Sequence, residues 1–299
     1  MRNLKNSCLY CGSAEIKTYK IINDYVIYFC NKCHLLFTGC DNEREIASIN
    51  KEWYSDAYML NYQKKARVLK RRFVQKVHEL EILKRGGSLL DLGCGVGLFL
   101  EALSETAQYK WKLFGLDINE KLIAKAKVRL RGKTQKLFLG KVTSLNLKGE
   151  VFDCVTCFDV LEHDHELKET LSEIKRLLKS SGLLLIQAPN YFSVMAYLCG
   201  ERWDWWAVPD HVFHFNPDSL SLALQKEGFR IKKLYTWDPR EEFISNIRGS
   251  IKARLGARSL IGRLASRCLY IPLLLLWGLL AIIERKFNIG SLLVILAEV

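Results

Sequence analysis

Apolar and polar positions along the chain follow two alternating rhythms. Across residues 64–84, Val68, Val74, Val77 and Leu80 keep roughly to one helical face, with Lys64, Lys65, Lys70, Arg71, Arg72 and Lys76 largely elsewhere. Gly86 and Gly87 then stop the helix. Short apolar runs at 88–92, 111–118, 136–142, 151–158 and 182–189 read as strands, and the stretches 98–107, 119–131 and 164–179 between them read as helices. Strand–helix–strand repetition predicts an α/β fold, a mostly parallel sheet with helices on both faces. Residues 229–238 and 290–297 supply a sixth and a seventh strand.

Two stretches break this rhythm. The segment 244–266 carries Arg248, Lys252, Arg254, Arg258 and Arg263 and no acid, and 268–283 is uncharged and rich in Leu and Ile. Sixteen such residues fall just short of the roughly 17–25 that cross a bilayer. A basic amphipathic helix followed by an apolar hairpin, lying in the membrane interface, is one reading; an apolar helix buried on the domain or on a dimer partner is the other. At the opposite end, Cys8-Leu9-Tyr10-Cys11 and Cys30-Asn31-Lys32-Cys33 flank a β-like stretch, 16–29. Each C-x-x-C turn offers two thiolates, and together they complete the tetrahedral set of structural zinc, so Cys8, Cys11, Cys30 and Cys33 are the expected ligands. His34 and Cys40 lie off this spacing.

The chain thus divides into a zinc module (1–40), an aromatic and basic helical connector (41–86, with Trp53, Tyr54, Tyr58 and Tyr62) and an α/β domain (87–299) with an insertion at about 244–286. Its net charge of +13 points to an anionic partner without choosing among nucleic acid, lipid and phosphorylated substrates. No apolar signal-type run follows Met1, and ten cysteines read as thiols and metal ligands; a cytoplasmic protein, peripheral at a membrane, is expected.

The candidate chemistry begins at Asp91-Leu92-Gly93-Cys94-Gly95-Val96-Gly97, between the first strand and helix of the α/β domain. The dinucleotide pattern G-x-G-x-x-G would need glycine at 98, where Leu98 stands. The observed D-x-G-x-G-x-G resembles the first motif of class I S-adenosylmethionine (SAM)-dependent methyltransferases. The resemblance implies a seven-stranded Rossmann-like sheet. Asp91, Gly93, Gly95 and Gly97 would hold SAM, Asp117 at the end of the second strand would take its ribose hydroxyls, and Ile118, Val142 and Phe158 would line the site. Relatives often carry an acid after the third strand; here Gly140-Lys141-Val142 stands, leaving the adenine to backbone groups at Val142 or Thr143.

The fourth strand and its exit, F-D-x-V followed by Val160-Leu161-Glu162-His163, resemble those of small-molecule methyltransferases, including those of quinones and sugars. The N/D-P-P-Y/F signature of base-amine methyltransferases is missing here. The stretch Asp210-His211-Val212-Phe213-His214-Phe215 resembles a loop of zinc-module methyltransferases acting on sugar nucleotides. A methyl acceptor must lose a proton, so His211, with His214 second, is the expected base; the alternative is that both only brace the loop. Trp203, Trp205 and Trp206 are candidates to wall an acceptor. The leading expectation is O- or C-methylation of a sugar nucleotide, glycolipid precursor or quinone-like molecule. The alternative is an RNA methyltransferase, which charge and zinc favour and the fourth strand opposes.

Overall fold

The computed structural model describes residues 7–39, 56–255 and 270–299. Cys40, Trp53, Tyr54, Arg258, Arg263 and Arg267 lie outside them. The larger sheet has seven strands: β4 (Gly87–Leu92), β5 (Trp111–Asp117), β6 (Lys136–Leu139), β7 (Phe152–Phe158), β8 (Leu178–Pro189), β10 (Arg230–Trp237) and β11 (Leu292–Glu298). Their order is β10-β11-β8-β7-β4-β5-β6. β4 pairs in parallel with β5 on one side and with β7 on the other. The chain runs outward from β4 through β5 to β6 and returns beside β4 as β7, so a switch point lies between β4 and β7, where open α/β sheets bind ligands.

Helices α1 (Asp56–Leu83), α2 (Leu98–Thr106), α3 (Glu120–Arg129) and α4 (Leu167–Leu177) alternate with these strands. The stripe on α1 works as its pattern predicts: Val77 and Leu80 are fully buried in one core with Leu89, Phe99, Leu103, Leu113 and Ile123. Lys76, expected on a solvated face, is instead buried, its ammonium 3.5 Å from Glu79. Glu101 of α2 takes both Lys70 of α1 (3.1 Å) and Arg129 of α3 (3.0 Å), which ties the three helices.

A second sheet of four strands runs β1 (Ile16–Ile22), β2 (Tyr25–Cys30), β3 (Leu36–Thr38) and β9 (Phe213–His214). The strand β9 belongs to the histidine loop, so that loop continues the cysteine-rich sheet. Pairing is antiparallel, with Leu36 opposite His214 and Phe37 opposite Phe213. Helices α5 (Val194–Cys199), α6 (Pro217–Lys226), α7 (Arg240–Leu255) and α8 (Tyr270–Phe287) complete the described fold. The described part of the apolar run, from Tyr270, forms a single helix and not the hairpin of the interfacial reading: Pro272 falls in its first turn, where its missing N–H costs nothing, and Gly278 is tolerated inside.

The chain forms two compact units, each assembled from separated segments. One joins Met1–Asp41, Gln187–Leu222 and Lys233–Val294; the other joins Asn42–Ile186, Ala223–Lys232 and Ile295–Val299. The core of the first is shared among its segments: Ile22, Ile27 and Leu36 pack with Met195, Trp203 and Trp206 and with Phe243 and Ile244.

Candidate active site

The glycine loop sits at the carboxyl end of β4. Gly93, Gly95 and Gly97 all have positive φ (69°, 53° and 80°), a conformation that costs L-residues about 1–2 kcal/mol each. They differ in what surrounds them. A Cβ on Gly93 would come within 2.2 Å of the Val160 side chain, whereas one on Gly95 would meet nothing within 4 Å. Gly95 thus borders open space, a cradle that a cofactor could fill at backbone contact. Cys94 between them is buried, and burial raises its thiol well above the ordinary range, so it is no nucleophile.

Two buried acids flank this opening. Asp91 lies opposite Thr156 across the β4–β7 pairing and accepts its hydroxyl proton at 2.7 Å. Burial, with the nearby negative charge of Asp117, pushes its carboxyl up to about 7 despite that hydrogen bond. Asp117 accepts one backbone N–H on each oxygen, from Gly95 at 2.9 Å and from Asn119 at 2.8 Å, and burial raises its pKa. It therefore ties the end of β5 to the glycine loop. A buried carboxyl raised in this way gains by ionising against a cationic group such as an ammonium; the hydrogen-bonded carboxylate beside it suits hydroxyls.

The other expected cofactor residues lie on this unit too. Ile118 is 58% exposed directly after Asp117, and Val142 is buried in a single turn, 142–144. The Lys141 ammonium pairs with Glu166 at 3.1 Å, which occupies the cation that replaces the family's acid. Phe158 turns into the aromatic core, its ring 4.8 Å from Phe99 and 5.4 Å from Phe73.

The four cysteines of the N-terminal turns converge. Their Sγ atoms all lie within 4.8 Å of one another, with Cys8–Cys33 and Cys11–Cys30 each at 3.5 Å. A tetrahedral zinc with about 2.3 Å bonds needs sulfurs about 3.8 Å apart, so this donor set fits one structural zinc. The hydrogen bond with Cys33 brings the Cys8 thiol down to about 5, while Cys33 is raised. His34 is apart from the four, its ring stacked on Phe29.

Within the same unit, the histidine loop is fastened to the cysteine sheet through Thr38. Its hydroxyl donates to the His211 carbonyl at 2.7 Å and lies 2.9 Å from His214 Nε2. Because that one hydroxyl proton is used on the carbonyl, His214 Nε2 must donate, which makes His214 the neutral Nε2–H tautomer. Complete burial brings its pKa down to about 3. His211 Nδ1 lies 2.8 Å from the Trp205 carbonyl, which can only accept, so Nδ1 carries a proton. Trp203 and Trp206 are buried in the core, and Trp206 stands edge-on to His214 at 5.1 Å, so of the expected acceptor wall only Trp205 is partly open. Asn190 is used structurally, its amide donating to the Gly290 carbonyl at 2.8 Å.

The profile of the family described as "Methyltransferase domain" matches residues 62–234, more than half of the chain. The chain belongs to this methyltransferase family. A probable S-adenosylmethionine-dependent methyltransferase of Mycolicibacterium smegmatis is 28% identical over 147 residues, 49% of this chain and 53% of that one. A ubiquinone biosynthesis O-methyltransferase of Coxiella burnetii is 26% identical over 166 residues, 52% of this chain and 69% of the relative. An uncharacterised protein of Methanocaldococcus jannaschii is 31% identical over 52% of this chain and 64% of its own length. The matches thus span between about half and about two thirds of these relatives. A crystallised SAM-dependent methyltransferase from Archaeoglobus fulgidus superposes with a TM-score of 0.54 at 21% identity, covering 82% of this chain and all of the other, which establishes the fold.

Three residues of this methyltransferase escape a reading of sequence motifs. Thr156 and Thr38 act across 65 and 173 positions, distances at which no local spacing gives a signal. Glu162, fully buried in the single turn after β7, sits in a stretch readable as a motif but with no role attached.

Proposed function

We propose that this methyltransferase transfers a methyl group from SAM to the oxygen or carbon of a small-molecule acceptor, with His211 as the base. The observation that carries the donor half is the site at the β4 switch point: buried Asp91 for the ammonium, Asp117 for ribose hydroxyls, and an open approach at Gly95. When bound, SAM supplies an electrophilic methyl on a sulfonium, a good leaving group. The chain's own residues hold it without a phosphate cradle: Leu98 stands where a dinucleotide loop would need a further glycine, and the Asp91 carboxylate precedes the loop. On the acceptor side, the Trp205 carbonyl fixes a proton on His211 Nδ1, which leaves Nε2 as the nitrogen through which His211 would take the acceptor's proton. Burial holds His214 neutral at working pH, which suits it to brace rather than to take a proton.

The acceptor class is a sugar nucleotide, a glycolipid precursor or a quinone-like molecule. Similarity to a ubiquinone biosynthesis O-methyltransferase over half of the chain supports small-molecule chemistry. Calorimetry with SAM tests the donor half: binding is expected, and Asp91→Ala abolishes it. Absence of binding by the native chain would overturn the reading. With a labelled donor and a metabolite extract, His211→Ala is expected to lose acceptor labelling while still binding SAM. Specific labelling of a transcript instead would favour RNA methylation.

A further inference from the structure

Among the described side chains of helix α8, one apolar face is covered and another is exposed. Trp277, Leu280 and Glu284 face the core of their unit: Leu280 and Trp277 pack on its apolar cluster, the Trp277 indole donates to the Asp238 carbonyl at 3.0 Å, and Glu284 is fully buried. The Glu284 backbone carbonyl also accepts the Thr236 hydroxyl at 3.0 Å. On the other side Leu279, Ile282, Ile283 and Phe287 are 67%, 70%, 44% and 61% exposed. Their i, i+3, i+4, i+8 spacing makes one continuous stripe, with exposed Lys286 within it and Arg285 at its edge. Exposing four large side chains on adjacent turns is costly in water, at roughly 25 cal/mol per Å² of apolar surface.

We infer that this stripe docks in the headgroup layer of an anionic lipid bilayer, with α8 lying in the plane of the interface. Two observations select that occupant. The sequence leading into the helix, residues 248–267, carries six cations and no acid, and only Glu284, turned inward, interrupts the basic character of 244–286. A second copy docked face to face would bring the exposed Arg285 and Lys286 of one stripe against those of the other, like charge against like, whereas an anionic surface compensates them. Secondly, the inner face of α8 is fastened to the protein by Trp277 and the buried Glu284, which limits insertion to the outer half of the helix. That is the depth of an interfacial helix, about 5–10 Å. Consistent with this, no helix among the described residues is long and apolar enough to cross a membrane. Lys286 can keep its stem along the stripe and its ammonium among the phosphates. The inference does not rest on the methyl-transfer reading.

Flotation of the full chain with vesicles tests it, using phosphatidylcholine alone and phosphatidylcholine mixed with phosphatidylglycerol. The chain is expected to float with the mixed vesicles, to be released by salt, and to stay behind with the neutral ones. The triple variant L279Q/I282Q/F287Q, altered only at exposed positions, should lose about tenfold or more of the bound fraction. Its melting temperature and SAM calorimetry should match those of the native chain, which separates lost docking from misfolding. R285Q/K286Q gives a second measurement, expected to weaken binding to the mixed vesicles and leave the fold untouched. Failure to float, equal flotation with both vesicles, or unchanged flotation of the triple variant overturns the inference. So does a dimer in sedimentation that the triple variant converts to monomer, because the stripe would then belong to a second copy.

Discussion

At the scale of single residues, the proposed site turns on how burial shifts Asp91, Asp117 and His214 and on how the Trp205 carbonyl fixes a proton of His211. Asp91 must be ionised to take an ammonium, and its carboxyl titrates at about 7. SAM affinity should therefore weaken as pH falls below that value, approaching tenfold for each pH unit, and proton release on binding should rise toward one over the same range. Calorimetry in buffers of different ionisation enthalpy measures both, and Asp91→Asn should remove the dependence together with most of the affinity. The glycines separate shape from function. Gly93→Ala meets Val160 as well as the cost of its positive φ and should lower the melting temperature more, whereas Gly95→Ala bears only the backbone cost, enters open space and should fold but bind SAM poorly. Thr38 is a positioning residue for the proposed base. Thr38→Val leaves the His211 carbonyl and the His214 Nε2–H without their partner, at a cost of about 1–3 kcal/mol. It should lower kcat with little change in SAM affinity and shift the pH–rate profile, and Thr38→Ser should restore both. The glycines and Asp91 were legible because a loop's backbone demands are local. Thr38 was not, because its partners lie 173 and 176 positions away.

At the scale of elements, periodicity served where one face is buried and failed where both faces are apolar. Helix α1 shows its stripe plainly, and Val77 and Leu80 are in the core as their spacing requires. Helix α8 is uncharged up to Glu284, so its sequence leaves a hairpin and a single helix both open, while Glu284 marks the buried side. That carboxyl is raised to about 9 by burial and by Asp238 beside it. A group whose folded pKa exceeds its unfolded value stabilises the fold fully below the ordinary glutamate range and loses that contribution as pH rises toward 9. Thermal melting followed across neutral and mildly alkaline pH should therefore show stability falling in the native chain. Glu284→Gln, which mimics the protonated state, should flatten the slope and raise the melting temperature at alkaline pH.

At the scale of the molecule, the two compact units are not consecutive lengths of chain, and this is what motif reading could not supply. Every expected SAM residue, from Asp91 to Phe158, belongs to one unit, while the four cysteines and both loop histidines belong to the other. The cysteine turns and the histidine loop are written far apart yet share one β-sheet, through Leu36 opposite His214 and Phe37 opposite Phe213. Their small sheet packs on Trp203, Trp206, Phe243 and Ile244, side chains from segments a linear partition assigns elsewhere. A zinc held by Cys8, Cys11, Cys30 and Cys33 would then fix the hairpin that presents Thr38, and through Thr38 the loop of the proposed base. Structural zinc contributes on the order of 10 kcal/mol to folding in small modules, so its loss should be felt along that whole line. Treatment with a strong chelator, or Cys8→Ser with Cys33→Ser, should lower the melting temperature and release one zinc per chain, measured by a colorimetric chelator. Acceptor methylation should fall with it, while SAM binding persists, because no cysteine ligand belongs to the unit that carries Asp91 and Asp117. Loss of both activities in parallel would show instead that the metal supports the whole chain and not the histidine loop in particular.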